Sequence, residues 1–163
     1  MAILTILVRH AKASLLDTTQ KLSDSGKDMQ KMVNSHLKNE LQIEPNEIWT
    51  SPILRAKETA ELLGQEFGLV PQEEIGLGEL ELFDELAITN RLKEMPDEST
   101  IILVSHAPQI MRLASYWVGT KLFEEPPDTS TAVFLEFPRK IEPGTARFVR
   151  MVTYLDIARQ KRQ

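Results

Sequence analysis

Two apolar runs of nearly the same sequence stand out along the chain, at residues 3–8 and 100–105. Runs that are apolar at almost every position are typical of strands buried on both faces, as in a parallel sheet. The first segment reads ILVRHA (6–11) and the second reads ILVSHA (102–107). The pattern therefore predicts two buried strands, each followed by a histidine, His10 and His106.

Between these strands the apolar positions recur at helical spacing. An apolar stripe spaced by four predicts a helix over residues 27–41. A second helix is predicted to start at Ser51 and run to residue 67, with Ser51 as its N-cap and Pro52 in its first position. Gly68 closes that helix. Two further helices are predicted up to Met95 and from Pro108 onward.

The remaining strands are shorter. Residues 47–50 form a second strand, residues 70–75 a weak edge strand, and residues 131–137 and 147–154 a closing hairpin. This order predicts an α/β fold, a three-layer α/β/α sandwich with a mostly parallel sheet. We expect a single domain over residues 1–157 and a flexible basic tail over residues 158–163.

Composition narrows the class of protein. The chain has 163 residues, no cysteine and a formal net charge of -5. Thiolate metal sites and cysteine nucleophiles are thereby excluded, and the acidic balance argues against nucleic-acid binding. No apolar run approaches the roughly 20 residues of a membrane span, and the N-terminus carries no basic leader. We expect a cytoplasmic monomer without nucleic-acid or membrane partners.

The chemistry-bearing residues fall where strands end. In an open α/β sheet, ligands bind beyond the carboxyl ends of the strands. Arg9 and His10 follow the first strand, Arg55 comes shortly after the second, and His106 follows the later buried strand. Parallel strands would bring all four side chains to one rim, together with two helix N-termini that attract anions.

This set of side chains suits a phosphoryl group. Arginine offers a planar fork to phosphate oxygens. A neutral imidazole can attack phosphorus and form a covalent intermediate, and a second histidine can donate to oxygens that gain charge in the transition state. No metal or other cofactor is needed for such a site.

Three motifs resemble those of the histidine phosphatase superfamily, and more closely its small SixA-type phosphohistidine phosphatase branch. The motifs are LVRHAKA (7–13), SPILRAKETA (51–60) and VSHAP (104–108). The resemblance implies a phosphoglycerate-mutase-like fold. It also implies that His10 is the nucleophile and that Arg9, Arg55 and His106 complete the phosphate pocket.

The resemblance leaves the proton donor for the leaving group open. Glu79 aligns best with the usual acid, Glu81 and Asp84 are alternatives, and the branch often lacks an obvious acid. The chain also departs from the commonest motif by carrying Ala11 where glycine is usual, which indicates that this turn needs no glycine-only conformation.

Other polar residues near the first motif are candidate substrate contacts. Lys12 and Ser14 are included for this reason, and Asp17 is a weaker candidate. His36 shows no short metal-ligand spacing with the other two histidines, which disfavours a metallohydrolase.

The sequence therefore predicts a metal-independent phosphatase that acts on phosphohistidine in a protein, such as a histidine phosphotransfer domain. One alternative is an enzyme of the same fold that hydrolyses a small phosphomonoester. Another is a phosphate-binding module without turnover. A kinase is disfavoured because no glycine-rich phosphate loop is present.

Overall fold

A computed structural model describes residues 2–16 and 18–162 of the chain. Its strands are β1 (Ile3–Arg9), β2 (Glu47–Thr50), β3 (Gln72–Glu73), β4 (Thr100–Ser105), β5 (Ala132–Phe137) and β6 (Arg147–Val152). Its α-helices are α1 (Asp24–Ser35), α2 (Leu54–Phe67), α3 (Glu85–Lys93), α4 (Ala107–Val118) and α5 (Tyr154–Lys161).

The six strands form one sheet in the order β3-β2-β4-β1-β5-β6. The strands β3, β2, β4 and β1 run parallel to one another, whereas β5 is antiparallel to β1 and β6 is antiparallel to β5. The two apolar runs of the sequence are thus the two central strands, paired so that Ile6 lies opposite Ile102. The mostly parallel sheet predicted from the sequence is confirmed.

Alternate residues of the central strands enter two separate hydrophobic layers. Ile6 and Val8 pack with residues of α1, α2 and α5 on one face, and Leu7 packs with residues of α3 and α4 on the other. Both faces of β1 are therefore covered, which explains why its sequence is apolar at almost every position. The result is a three-layer α/β/α sandwich, as expected from the sequence.

The helix start predicted at Ser51 and Pro52 is wrong. Helix α2 begins at Leu54, and Ile53 is its capping residue without a side-chain cap. The Ser51 hydroxyl instead accepts a hydrogen bond from the Ile53 backbone N–H (3.1 Å), which closes a turn before the helix. The predicted closure at Gly68 is confirmed, because Gly68 adopts the left-handed conformation at φ 70°.

Helix α1 starts earlier than the apolar stripe indicated. Ser23 caps it by accepting from the Gly26 N–H (3.0 Å), and its regular part ends at Ser35. The chain then continues as a π-helical turn over His36–Glu40. The weak edge strand predicted over residues 70–75 is present only as the two residues of β3.

The carboxyl-terminal prediction also needs a correction. The last strand ends at Val152, and residues 154–161 form helix α5 where a strand end and a loose tail from residue 158 were expected. Thr153 caps this helix by accepting from the Asp156 N–H (3.2 Å), and Ile157 is buried against the layer that contains α1. Gln163 lies outside the described residues.

The helices are short, the longest being the 14 residues of α2. Within residues 2–16 and 18–162, none combines the length and the apolar character that a membrane crossing takes.

Candidate active site

The two histidines that follow β1 and β4 meet at the carboxyl edge of the sheet. Arg9 lies opposite Ser105 in the parallel pair, and the His10 N–H donates to the Ser105 carbonyl at 3.0 Å. The imidazole rings of His10 and His106 are 5.3 Å apart between centroids, tilted by 57°. Both side chains are buried, with 8% and 4% of their surface exposed.

His10 is held in a single orientation by two hydrogen bonds. Its Nδ1 lies 2.8 Å from the Ala11 carbonyl oxygen, and its Nε2 lies 3.3 Å from the Arg55 Nε. A carbonyl can only accept and a guanidinium can only donate, so Nδ1 carries the proton and Nε2 keeps its lone pair. The contacts thus select the neutral tautomer in which Nε2 is the nucleophilic nitrogen.

The surroundings keep His10 neutral. Burial, together with the smaller effect of the positive charges of Arg55 and Arg9, lowers its pKa to about 4, and the bond to the Ala11 carbonyl opposes this shift. An imidazole with this pKa is unprotonated near pH 7. It is therefore free to attack an electrophile.

The peptide after His10 is anchored from helix α2. The Ala11 N–H donates to the Thr59 Oγ1 (2.9 Å), and the Thr59 hydroxyl donates to the Arg55 carbonyl (2.7 Å). Ala11 is fully buried and is not among the described residues with positive φ, which confirms that glycine is not required here. Arg55 and the peptide after His10 are thus connected through Thr59.

The two arginines approach the pocket from different elements. Arg55 lies in the first turn of α2, where its Nη1 also donates to the Gln20 Oε1 at 3.2 Å. Arg9 ends β1, and its Nη1 donates to the Pro127 carbonyl at 2.6 Å. Burial lowers the pKa of both guanidinium groups, and Asp128 opposes the shift at Arg9. Among the described residues the buried Arg9 Nε has no partner, so it is a donor available to an anion.

His106 uses the opposite ring nitrogen from His10. Its Nε2 lies 2.9 Å from the Ser51 Oγ, while its buried Nδ1 has no partner among residues 2–16 and 18–162. Burial and the nearby positive charge of Arg55 lower the pKa of His106 to about 3, with smaller contributions from His10 and Arg9. Helix α4 begins at the next residue, so its positive end also lies at the pocket.

The structure separates the three candidate acids. Asp84 caps helix α3, because its Oδ1 accepts from the Ala87 N–H at 3.0 Å. Glu79 and Glu81 are both exposed, but Glu79 directly follows Gly78, whose carbonyl accepts from the Gln109 Nε2 at 2.8 Å. Gly78 also lies against Pro52, so Glu79 directly follows a residue that contacts the Ser51–Pro52 segment.

The predicted substrate contacts on the first loop are not joined to the pocket by the contacts described here. Lys12 is exposed, and its backbone carbonyl accepts from Ser23. The Ser14 Oγ accepts from the Leu16 N–H at 3.3 Å, so it shapes its own loop. The roles of Lys12 and Ser14 stay predictions, and Asp17 lies outside the described residues.

Sequence reasoning missed three residues that shape the pocket. Gln20 accepts a hydrogen bond from Arg55 and has a left-handed backbone conformation at φ 53°. Ser130 also has a left-handed backbone conformation, at φ 62°. The Ser130 N–H is shared between the carbonyls of Arg9 (3.1 Å) and His10 (3.3 Å). Thr59 is the third. Its position one helical turn after Arg55 is the only signal that could have identified it.

A family model matches the part of the sequence that carries most of this site. The model described as the Histidine phosphatase superfamily (branch 1) matches residues 5–85, which include the first two motifs and Glu79. The chain belongs to the histidine phosphatase superfamily. The class of enzyme is therefore a phosphatase. Among curated protein sequences none matches the chain significantly.

Solved structures of this superfamily member's fold come from enzymes with different substrates. The protein histidine phosphatase SixA, complexed with tungstate, matches with a TM-score of 0.77 and 21% identity over 94% of this chain and 99% of that one. A protein assigned as the SixA of Agrobacterium tumefaciens gives 0.73 and 18% identity over 92% and 97%. One assigned as an α-ribazole-5′-phosphate phosphatase of Escherichia coli K-12 gives 0.75 and 14% over 94% and 97%. These likenesses confirm the phosphoglycerate-mutase-like fold expected from the sequence. The substrate is inferred from the chemistry of the site.

Proposed function

We propose that this histidine phosphatase superfamily member hydrolyses phosphohistidine in a protein, through a phosphorylated His10 and without a metal ion. The observation that carries the proposal is the orientation of His10. Its Nδ1 proton is held by the Ala11 carbonyl, and its Nε2 lone pair faces Arg55. A neutral imidazole held in this way needs no activation by a separate base.

The phosphoryl group binds where the donors converge. Arg9, Arg55 and the His106 Nδ1 supply the positive charge and the hydrogen bonds for its oxygens, and Arg55 moves from the His10 Nε2 to a phosphoryl oxygen. We assign the Ser51 hydroxyl as the donor to the His106 Nε2, because the proton of the neutral ring then lies on Nδ1, where it can be donated to a phosphoryl oxygen. These donors act most strongly where negative charge builds up in the transition state.

Two displacements complete the reaction. The His10 Nε2 forms a bond to phosphorus as the P–N bond of the substrate breaks, and the leaving imidazole keeps the electron pair and takes up a proton. Water then attacks the phosphohistidine at residue 10. A P–O bond forms and the P–Nε2 bond breaks, while the water gives up a proton that balances the one taken up by the leaving imidazole. Inorganic phosphate then leaves with neutral His10 restored.

The nature of the acid favours a phosphoramidate over an alkyl phosphate. An imidazole with a pKa of about 6.5 leaves far more easily than an alkoxide, so its departure depends less on a strong proton donor. Glu79 is the candidate acid, and it is exposed on a surface loop. Such a site fits a substrate whose leaving group needs little help.

Covalent labelling tests the nucleophile. Incubation with radiolabelled phosphoramidate is expected to label the protein in a form that acid removes and alkali preserves. His10→Ala should abolish the label and lower turnover by more than about 10³-fold. His36→Ala is the matched control, since it removes a histidine outside the pocket, and it should behave as wild type. Full turnover by His10→Ala would disprove the mechanism.

The alternative substrate is a small phosphomonoester. The likeness to the assigned α-ribazole-5′-phosphate phosphatase keeps this alternative in view. Rates on a panel of histidine-phosphorylated phosphotransfer domains and on small phosphate esters separate the two. We expect kcat/KM to be higher on at least one domain, and a consistent preference for a small ester would assign the protein to the alternative.

A further inference from the structure

Among the described residues, five of the seven exposed leucines lie on segments that contact residues of the site, whereas Leu86 and Leu155 lie elsewhere. Leu15 and Leu16 have 94% and 99% of their surface exposed, and three more leucines are about half exposed on other segments that border the site. We call these five residues the leucine rim: Leu15, Leu16, Leu54, Leu80 and Leu82. Large apolar side chains grouped on the surface of one functional site commonly mark a contact with another molecule.

One part of the rim projects from the loop after β1. The loop is closed at its base by a bridge between Ala13 and Leu22 and by the Ser14 N–H, which donates to the Lys21 carbonyl at 2.7 Å. Gln20, at the returning end, accepts from Arg55, which in turn reaches the His10 Nε2. The two most exposed leucines are therefore presented by a loop that is fastened to the phosphate-binding arginine.

The other part borders the pocket at the segment that carries Glu79. Gly78 lies against Pro52, so that a Cβ there would come within 3.2 Å of the Pro52 ring, and Gln109 of α4 holds its carbonyl. Leu80 and Leu82 follow directly, and Leu54 lies on the Pro52 side, one residue before Arg55. The rim leucines thus come from three segments that each touch pocket residues.

The floor of the pocket is positively charged, and two of the segments around it are negatively charged. The floor carries Arg9 and Arg55, whereas two of the bordering segments, residues 78–82 and 124–128, carry exposed carboxylates. The loop after β1 instead carries the exposed Lys12 and Lys21, and Lys121 pairs with Glu124. One of these segments supplies the Pro127 carbonyl that holds Arg9. The exposed carboxylates are Glu79, Glu81, Glu124, Glu125 and Asp128. A small free phosphate ester is repelled by such a border, whereas a phosphoryl group mounted on a basic surface is attracted to it.

We infer that the leucine rim and its acidic border form a docking surface for a folded protein domain whose phosphohistidine is surrounded by apolar and basic side chains. This inference rests on the proposed function and names the chemistry of its substrate. The leucines contact apolar side chains beside the phosphohistidine, the carboxylates face lysine or arginine side chains, and the arginines bind the phosphoryl group. The rim then sets affinity for the protein and leaves the bond-breaking step unchanged.

Two double variants test the rim, namely Leu15→Ser with Leu16→Ser and Leu80→Ser with Leu82→Ser. Each is assayed on a panel of histidine-phosphorylated phosphotransfer domains and on phosphoramidate, which needs no docking. On the domain that wild type hydrolyses best, kcat/KM should fall by about tenfold or more, mainly through KM, while turnover of phosphoramidate changes less than about twofold. Val70→Ser is the matched control, because Val70 is 86% exposed and precedes β3, away from the strand ends that build the pocket.

Charge reversal gives a second, independent readout. Glu125→Lys should lower the rate on the phosphorylated domain several-fold at low salt and raise it on p-nitrophenyl phosphate, and both effects should disappear at high salt. Equal changes on both substrates would overturn the docking role of the border.

The possible results distinguish a failure of the docking surface from a failure of the proposed function. Wild-type turnover of a domain with no loss in either leucine variant overturns the docking surface and leaves the proposed function standing. Equal losses on the domain and on phosphoramidate mean that the leucines support the pocket itself, which also overturns the inference. No turnover of any domain by the wild type, with phosphoramidate still hydrolysed, overturns the proposed function and the docking surface together.

Discussion

The chain carries nearly the same hexapeptide twice, at residues 6–11 and 102–107, and the two copies end in histidines that make opposite hydrogen bonds. The copies lie side by side in β1 and β4, with Ile6 opposite Ile102. His10 contacts the Ala11 carbonyl through Nδ1, whereas His106 contacts the Ser51 hydroxyl through Nε2. Two similar strand ends therefore present different ring nitrogens to one pocket.

The difference in hydrogen bonding follows from the element that comes after each histidine. After His10 the chain enters a loop, so the Ala11 carbonyl is free to accept the Nδ1 proton. After His106 it enters helix α4, where the carbonyls bond along the helix, as the His106 carbonyl does with the Ile110 N–H at 2.9 Å. His106 therefore takes its partner from another strand end. The comparison teaches that the next element, and not the hexapeptide, decides which histidine can attack.

Removing His106 is expected to have the largest effect on activity and tests the different roles of the two histidines. His106→Ala should lower kcat by about 10²–10³-fold, because it removes a donor that stabilises developing charge. The radiolabel from phosphoramidate should still appear, more slowly, and peptide mapping should place it on residue 10. Label on any other residue, or complete loss of label with the fold intact, would contradict the division of roles between the two histidines.

Ser51→Ala tests the His106 half of the comparison. Without the Ser51 hydroxyl, the Nδ1 proton of His106 is no longer favoured, so kcat should fall by about tenfold while KM for phosphoramidate changes little. Steady-state kinetics give the two values separately. Ser115→Ala, a change on helix α4 away from His106, is the control. An equal loss in that variant would remove the support for a positioning role of Ser51.

Thr59→Val tests the His10 half. It leaves the buried Ala11 N–H without an acceptor, which should cost about 1–3 kcal/mol in the free energy of unfolding. It should also lower kcat several-fold, since the peptide that orients His10 loses its anchor. Thr59→Ser restores the hydroxyl and should recover kcat. If both variants are equally slow, the methyl packing of Thr59 matters and the hydrogen bond does not.

The smallest expected effect concerns pH and involves both histidines. Their pKa values in the folded protein, about 4 for His10 and about 3 for His106, lie below the 6.5 of an unfolded histidine. As pH falls from about 6.5 toward 4, the unfolded chain binds protons that the folded chain does not, so the stability present above pH 6.5 is progressively lost.

Thermal unfolding measured across this pH window checks the linkage. The fall in Tm with acid should be shallower in His10→Gln and in His106→Gln than in wild type, and unchanged in His36→Gln. The acid limb of kcat/KM should also lie well below pH 6.5, because His10 stays neutral there. An acid limb near pH 6.5 would mean that His10 is solvated as in a free peptide.

Much of the fold could be predicted because its central strands are buried on both faces. Such strands leave a strong apolar signal, and β1 and β4 followed directly from it. Helix α5 was missed because the segment carries only one buried apolar residue, Ile157, among charged ones. The Thr153 cap, three residues before Asp156, was the remaining signal.

The candidate site was predictable to the same extent. Arg9, His10 and His106 were found because they directly follow strands, and Arg55 because it follows a motif, and the structure brings these four together. Gln20 could not be found, since nothing in a polar loop marks the one amide that folds back onto Arg55. The role of Ser51 was misassigned for a related reason: a serine before a proline and a helix fits a cap, and only the arrival of His106 changes its partner.

The sequence by itself therefore determined the two buried strands and the residues at their ends. These properties depend on local pattern and residue type. The tertiary structure alone decided which ring nitrogen of each histidine has a hydrogen-bond partner, that Thr59 anchors the peptide after His10, and that segments with exposed leucines contact residues of the site. Each of these depends on contacts between segments that are far apart in the chain, and such contacts exist only once the sheet has brought its strand ends together.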